Sequence, residues 1–295
     1  MPWALSRWQW RALVAREADY LRSMHADLRW PQVSTASFGL EFRRFPKGDF
    51  FIFGNGDSLN ELTDTEFQFI EKSFSVGLNA FALHPFVPSA YAFELYKWDY
   101  RNRSELEFLL RLASQRQLGS QVPLWLLRPK TSQLEQLSYL LSAVDGLKLE
   151  LYGRANLPRQ SSPGLESQVA AALRFLGQRR EYGSVALDNG ASVVRMVSLA
   201  LVHGFTRVIL VGVDLTDTPY FWSNPRFIEE HGDFTEICRR RPGEGTSTLL
   251  TNNRPHSAEE FLHALARVAH EEFQAEIFVA SQKSRLAQQL RRFPF

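Results

Sequence analysis

The chain has 295 residues, 44% of them hydrophobic, which is enough for one large α/β domain or two small ones and argues against a disordered protein. Its 34 basic and 32 acidic residues leave a net charge of only +2, which argues against a general nucleic-acid-binding protein. Cys238 is the single cysteine, so neither a disulfide framework nor a cysteine-based zinc site can form within one chain.

The N-terminal segment has the pattern of an amphipathic helix over residues 3–29. Tryptophans and arginines are interspersed in its first half, as in helices at a membrane surface, but Glu17, Asp19 and Asp27 oppose anionic lipid. We therefore favour packing on the domain or on another subunit of a homo-oligomer, with peripheral membrane contact as the alternative. No apolar run reaches the ~20 residues of a bilayer span, and no signal peptide is recognisable, which predicts a cytoplasmic protein, at most peripheral to the inner membrane face.

Residues 31–48 are expected to form a polar connector between this helix and the rest of the chain. Phe38, Leu40, Phe42 and Phe45 alternate with polar residues there, as in an edge strand. We predict that residues 1–48 form the N-terminal helix and connector, and that residues 49–295 form a single domain.

The stretch from Phe50 to Leu62 is the most informative part of the chain. Phe50–Phe53 is an apolar run typical of a buried strand, and the turn Gly54–Gly56 follows it. Asp57 or Ser58 is then expected to cap a helix that begins near Leu59. A strand, a glycine-rich turn and a helix N-terminus in this order predict an anion site, because backbone N–H groups face the ligand. The alternative is an ordinary tight turn, since neither the dinucleotide motif nor the P-loop motif is complete.

Further strands and helices are predicted downstream, and the second strand ends in a polar residue. This strand, within residues 74–81, ends on Asn79, which we expect beside the glycine-rich turn. Residues 85–100 are aromatic and loop-like. The remaining predictions before residue 180 are helices over 105–117, 132–144 and 165–178, strands over 123–127 and 147–152, and a loop over 154–164.

A second strong unit consists of a helix followed by a buried strand. The helix spans Ser192–Val202, and Gly204 supplies its left-handed cap. The strand runs from Arg207 to Leu215, so that Gly212 and Asp214 lie at the carboxyl end, where parallel sheets bind ligands. This order of helix and buried strand predicts an α/β fold with a Rossmann-like parallel sheet flanked by helices.

The segment over residues 216–254 has little periodicity and is predicted to be a lid-like loop. It contains the basic run Arg239–Arg241, which is either a solvated face or a contact for an acidic acceptor. Ser257 and Glu260 form a capping box for a helix over 258–273. A last strand over 275–280 and a short helix over 284–291 are expected to complete the chain.

Two blocks together resemble the bacterial family-42 sialyltransferases. The segment Phe53–Leu59 is similar to that family's G-N-G-P-S-L opening, and Val76–Asn79 is placed like its second strand, whose terminal Asn contacts the nucleotide. The segments Ala191–Met196 and Val211–Leu215 resemble its T-S-G-V helix and G-I-D strand. The order of the blocks agrees, and the similarity covers about half of the chain.

This resemblance implies a GT-A-like fold and metal-independent, inverting transfer from a nucleotide sugar, CMP-sialic acid, to a glycan or glycolipid of the cell envelope. It implies no cofactor besides this donor and no metal ligands. The catalytic tyrosine is expected at Tyr220. The residues expected to bind the donor are Gly54, Asn55, Gly56, Ser58, Asn79, Ser192, Gly212 and Asp214.

The catalytic base is the weakest part of the match. The family's histidine falls on Leu250 by direct counting, and His256 lies six residues later. Either a loop shift lets His256 serve as the base, or another group does, or the chain is not a sialyltransferase. Of the other histidines, His84 could line the cleft and His203 is expected to be structural, whereas two on the last long helix, His263 and His270, are expected at the surface.

Two other classes of function stay open. One is a different nucleotide-dependent transferase, such as a pterin pyrophosphokinase-like enzyme, which would need an acidic metal-binding cluster. The other is a non-catalytic homologue that binds a nucleotide sugar without turnover, and Leu250 favours it.

Overall fold

The computed structural model describes residues 3–28, 33–36, 38–94, 100–130, 133–142, 147–157, 164–179, 182–216, 219–238 and 256–295. The strands are β1 (Val33–Thr35), β2 (Asp49–Phe53), β3 (Phe74–Leu78), β4 (Ala90–Phe93), β5 (Leu124–Leu127), β6 (Leu149–Asn156), β7 (Val185–Asp188), β8 (Arg207–Val211), β9 (Glu276–Val279) and β10 (Arg291–Arg292). The α-helices are α1 (Trp3–Leu28), α2 (Phe38–Glu41), α3 (Asp64–Ile70), α4 (Tyr100–Gln115), α5 (Leu118–Gln121), α6 (Leu134–Ser142), α7 (Leu165–Gly177), α8 (Ser192–Val202), α9 (Pro225–Cys238) and α10 (Ala258–Phe273).

The described strands form one parallel sheet with helices packed against it. Its order is β1-β6-β5-β4-β3-β2-β8-β9-β10, and β7 pairs with β6 beyond the end of β1. Every strand pair is parallel. The predicted α/β fold with a Rossmann-like sheet is therefore confirmed.

Strand β2 lies at the centre of the sheet, and the order of the strands reverses beside it. Strands β3 to β6 extend from one side of β2, while β8 and β9 extend from the other. The last residues of the two central strands, Phe53 and Val211, are in register. Because ligands of open parallel sheets bind at the carboxyl ends where strand order reverses, this topology places a site between the turns after β2 and β8.

An aromatic cluster supports the central strands from one side. Phe42 packs edge-on against Phe74, with 4.8 Å between ring centroids, and Phe50 packs edge-on against Phe205 at 4.9 Å. Each such pair contributes about 0.5–1.5 kcal/mol beyond area burial. His203 contacts Phe42 in the same cluster, and burial lowers the pKa of His203 from 6.5 to about 4, consistent with the expected structural role.

The N-terminal region differs from its predicted form. The edge strand expected over Phe38–Phe45 is wrong, because Phe38 and Phe42 lie one helical turn apart, stack at 5.7 Å and both pack on Trp125. Instead β1 joins the main sheet, and α1 packs against β6.

Four further predictions are corrected. Residues 85–100 contain β4, and Arg154–Asn156, expected in a loop, continue β6. The lid-like segment contains α9, a helix whose residue His231 has non-helical dihedral angles. The C-terminal helix is a 3-10 helix over Arg285–Gln288 followed by β10. Strand β4 was missed because four apolar residues carry no measurable periodicity.

Candidate functional site

A cleft of about 150 Å³ lies at the carboxyl ends of the central strands, and we call it the strand-end cleft. Its walls are the turns and loops after β2, β3, β4, β7 and β8. Its lining residues are Gly54–Gly56, Leu78–Asn79, Glu94, Gly190–Val193, Gly212–Thr216 and Tyr220. The structure thus brings together all of the candidate site residues except Ser58 and His256.

The two turns that follow β2 and β8 are in direct contact. The N–H of Gly54 donates to the carbonyl of Val211, and the N–H of Gly56 donates to that of Gly212, both at 2.7 Å. A Cβ atom on Gly54 would overlap the Gly212 carbonyl oxygen, and one on Gly56 would overlap the Asp214 carboxylate. Glycine is required here for packing of one turn on the other, in addition to any approach of a ligand.

The carboxylate of Asp214 occupies the position predicted for an external anion. The Ser58 N–H donates to Asp214 Oδ2 at 3.0 Å, and the Ser58 hydroxyl donates to Oδ1. The predicted helix start near Leu59 is wrong: residues 57–61 form a 3-10 helix without a side-chain cap, and α3 begins at Asp64 behind a Thr63–Glu66 capping box. Ser58 is buried behind the turn and supports Asp214, and it does not line the cleft.

Asn55 presents an unsatisfied acceptor at the cleft. Its Oδ1 atom is buried and has no hydrogen-bond partner among the described residues. Its carbonyl accepts from the N–H of Phe221 at 3.1 Å, which fixes the backbone. Since a buried acceptor without a partner costs about 1–3 kcal/mol, Asn55 is suited to accept a hydrogen bond from a bound ligand.

Asn79 connects three walls of the cleft. Its Oδ1 accepts from the N–H of Glu94 at 3.0 Å, and its Nδ2 donates to the Ser192 hydroxyl at 3.4 Å. Asn79 has φ +49°, and Leu215 on the opposite wall has φ +54°. Left-handed backbone at residues other than glycine is uncommon and concentrates at functional sites, which supports a functional role for this cleft.

Tyr220 reaches the cleft through a short bridge to the glycine-rich turn. It forms an isolated antiparallel bridge with Gly56, and its ring stacks on Trp222 at 4.3 Å. Phe221 is buried beneath and contacts His84, with 5.9 Å between centroids. His84 is not on the cleft wall, contrary to expectation, and packs among aromatic rings behind it.

A buried charged group, missed by the sequence analysis, closes the cleft on another side. Arg195 is fully buried in α8 and forms ion pairs with Glu94 and Asp188. Burial raises the pKa of Glu94 above its ordinary value, although Arg195 opposes this shift. Burial would lower the pKa of Arg195, but Glu94 and Asp188 raise it well above the ordinary value, so Arg195 is charged. An arginine inside an otherwise apolar helix was the available sequence signal.

His256 lies on a second cavity, of about 470 Å³, which we call the arginine cavity. The polar members of its wall are Arg16, Glu17, Arg128, Arg154, Asn156, Gln168, Asp188, Asn189 and His256. The segment Asp188–Ser192 separates the two spaces, because its first two residues line the arginine cavity and the others line the strand-end cleft. Leu250 and the Arg239–Arg241 run lie outside the described residues.

The expectation that His263 is a surface residue is wrong, because its side chain is buried against the domain. Among the described residues, no group of three or more His, Cys, Asp or Glu is placed to hold a metal ion. Within the same part of the chain, no helix combines the length and the apolar character needed to span a bilayer.

Comparison with known proteins gave similarity in structure but none in sequence. No protein-family model matches the chain, and no curated protein matches it in sequence. The chain is similar in structure to the monofunctional α-2,3-sialyltransferase Cst-I from Campylobacter jejuni, at 15% sequence identity and a TM-score of 0.44, over 82% of this chain and 78% of that one. The roles of individual residues are therefore argued from this chain's own geometry.

Proposed function

We propose that this protein is a sialyltransferase-like glycosyltransferase, which transfers a sugar from a CMP-activated donor to a glycan or glycolipid acceptor. One observation carries the proposal. Motif blocks that are far apart in the sequence, around Asn55, Asn79, Ser192 and Gly212, meet in the strand-end cleft at the point where the strand order reverses. The resemblance to the sialyltransferase family rests on the same residues.

The cleft offers neutral groups suited to a nucleotide. Asn55 Oδ1 is an acceptor for a ribose hydroxyl or an exocyclic amine, and the Ser192 hydroxyl stands at the start of α8, whose first N–H groups favour an anion. The Tyr220 hydroxyl is proposed to donate to the leaving phosphate, in line with the resemblance. The carboxylate of Asp214 is held by Ser58 through both of its oxygens, which offsets part of its charge.

Transfer requires a base that takes the proton from the acceptor hydroxyl while this oxygen attacks the anomeric carbon and the bond to the phosphate breaks. The titratable side chains on the described wall of the strand-end cleft are Glu94, Asp214 and Tyr220. Both oxygens of Asp214 accept from Ser58, whereas Glu94 is paired with Arg195 and burial raises its pKa, in the direction that suits a general base. Glu94 therefore joins His256, which faces the arginine cavity, as a proposed base.

The first test is calorimetric titration of the full chain with CMP, UDP and GDP, with and without a divalent cation. Selective CMP binding, weakened about tenfold or more by Asn55→Ala and by Asn79→Ala but not by Gln121→Ala, would support the proposal. Gln121 is an exposed amide far from the cleft. Tighter binding of another nucleotide would contradict the CMP donor, and metal-dependent binding of that nucleotide would favour a phosphotransferase.

Turnover of CMP-sialic acid separates an enzyme from a binding homologue. With an acceptor mixture, Glu94→Gln and His256→Asn are compared across the pH range. Loss of kcat with retained CMP affinity in one variant identifies the base. CMP binding without turnover in the wild-type chain would favour the non-catalytic alternative.

A further inference from the structure

The arginine cavity has the size and position of a second ligand site. It lies at the carboxyl ends of β6 and β7, between α1 and the start of α10. Its volume of about 470 Å³ falls within the range of about 300–1,000 Å³ that is typical of small-molecule sites. The segment Asp188–Ser192 lies between it and the strand-end cleft.

The described wall of the cavity carries more positive charge than its own carboxylates neutralise. Arg128 donates through Nε and Nη2 to the two carboxylate oxygens of Glu17, at 2.5 and 2.6 Å. Arg154, by contrast, has only a 3.5 Å contact with Asp188 Oδ2, and the other oxygen of Asp188 is held by Arg195. Arg16 is exposed on the same wall and has no ion pair with a described residue. Arg16 and Arg154 are therefore available to an anion.

A buried acceptor on the same wall is open to a hydrogen bond from a ligand. Asn189 is only 8% exposed, and its Nδ2 donates to the Ser257 carbonyl at 3.3 Å. Its Oδ1 is buried and has no partner among the described residues. A ligand hydroxyl would satisfy this atom. Leu13, Leu157 and Phe261 supply apolar surface for the face of a sugar ring.

We propose that the arginine cavity binds an anionic sugar, with its carboxylate or phosphate on Arg16 and Arg154 and a hydroxyl on Asn189. This assignment rests on the proposed function, because it places the acceptor glycan beside the donor cleft. Under this assignment His256, on the wall of the cavity, lies beside the bound acceptor. The two anionic groups share one recognition chemistry, an arginine pair together with a buried amide oxygen in the same cavity.

The test compares three probes that share one disaccharide: cellobiose, cellobiouronic acid and cellobiose 6-phosphate. Binding to the full-length protein is measured by calorimetry or ligand-observed NMR. We expect at least one anionic probe to bind about tenfold more tightly than cellobiose, and Arg154→Gln and Arg16→Gln each to remove most of this preference. The comparison of carboxylate with phosphate identifies the anion.

Arg174→Gln is the matched control, since Arg174 is exposed, paired with Glu272 and outside both cavities. Equal binding of all three probes, or equal affinity in Arg154→Gln, Arg16→Gln and Arg174→Gln, would overturn the proposal. CMP titration of the same samples keeps the two proposals apart. Arginine-dependent sugar binding without CMP binding supports this site and contradicts the donor, and CMP binding without anion preference does the reverse.

Discussion

The strand-end cleft and the arginine cavity share the segment Asp188–Ser192 but are built from different chemistry. The cleft consists mainly of backbone turns and neutral side chains at the centre of the sheet, and its carboxylate Asp214 is held internally by Ser58. The cavity is lined by many charged side chains from peripheral elements, including α1 and β6, with apolar residues such as Leu13, Leu157 and Phe261 beside them. Sheet topology is enough to create the first space, whereas the second depends on side chains from elements that are distant in the sequence.

The largest predicted effect concerns the shared wall. Arg195→Met removes the cation that joins Glu94 on the cleft to Asp188 on the cavity and leaves two carboxylates buried. We expect the free energy of unfolding to fall by about 3–5 kcal/mol, because removing one member of a buried ion pair leaves the partner charges buried and unpaired. Urea denaturation followed by circular dichroism measures this change. Arg174→Met, at an exposed pair, is expected to change it by about 1 kcal/mol or less. Equal losses of unfolding free energy in Arg195→Met and Arg174→Met would show that the buried Arg195 does not stabilise the wall between the cleft and the cavity.

The second prediction affects the cleft alone. In Gly56→Ala the new Cβ overlaps the Asp214 carboxylate, so the turns after β2 and β8 must separate. We expect a loss of about 1–3 kcal/mol in the free energy of unfolding, together with loss of nucleotide binding but retained binding of anionic sugar. Gly48→Ala meets no atom within 4 Å and is expected to change stability by about 0.5 kcal/mol or less. If Gly56→Ala also abolished sugar binding, the two sites would not be separate.

The third prediction concerns the pH dependence of the free energy of unfolding, to which His84, behind the wall of the strand-end cleft, contributes. Burial, reinforced by Arg226 and Arg116, lowers the pKa of His84 from 6.5 to about 3. The unfolded chain therefore gains a proton near pH 6.5 that the folded chain does not accept until about pH 3. The contribution of neutral His84 to the free energy of unfolding is fully present above pH 6.5. It decreases as the pH falls, by up to about 2 kcal/mol between pH 7 and pH 5.

His84→Phe keeps an aromatic ring among the neighbouring phenylalanines and removes the titration. We expect the free energy of unfolding to depend less on pH in this variant. The slope against pH is compared, and not the absolute value, because the variant also loses the hydrogen bond from the Phe86 N–H to His84 Nδ1. His270→Phe, at an exposed position, should keep the wild-type slope. A wild-type slope in His84→Phe as well would mean that His84 is not neutral in the folded chain.

Much of the fold followed from local sequence patterns. The central strands β2 and β8 are apolar runs bounded by glycine, and α10 begins at the predicted capping box of Ser257 and Glu260. The meeting of Asn55, Asn79 and Gly212 also followed, because parallel strands end at one edge of a sheet. These features depend on residues close in sequence or on a general rule of topology.

What only the tertiary structure decided depends on partners that are distant in the sequence. Ser58 binds Asp214 across 156 positions, so its neighbours indicated a helix cap where the structure has a support for a carboxylate. The burial of Arg195 depends on Glu94, which follows β4 and approaches Arg195 only when β4 joins the sheet. The position of His256 beyond the Asp188–Ser192 wall likewise depends on how α10 packs, because periodicity reports which face of an element is buried but not what it meets.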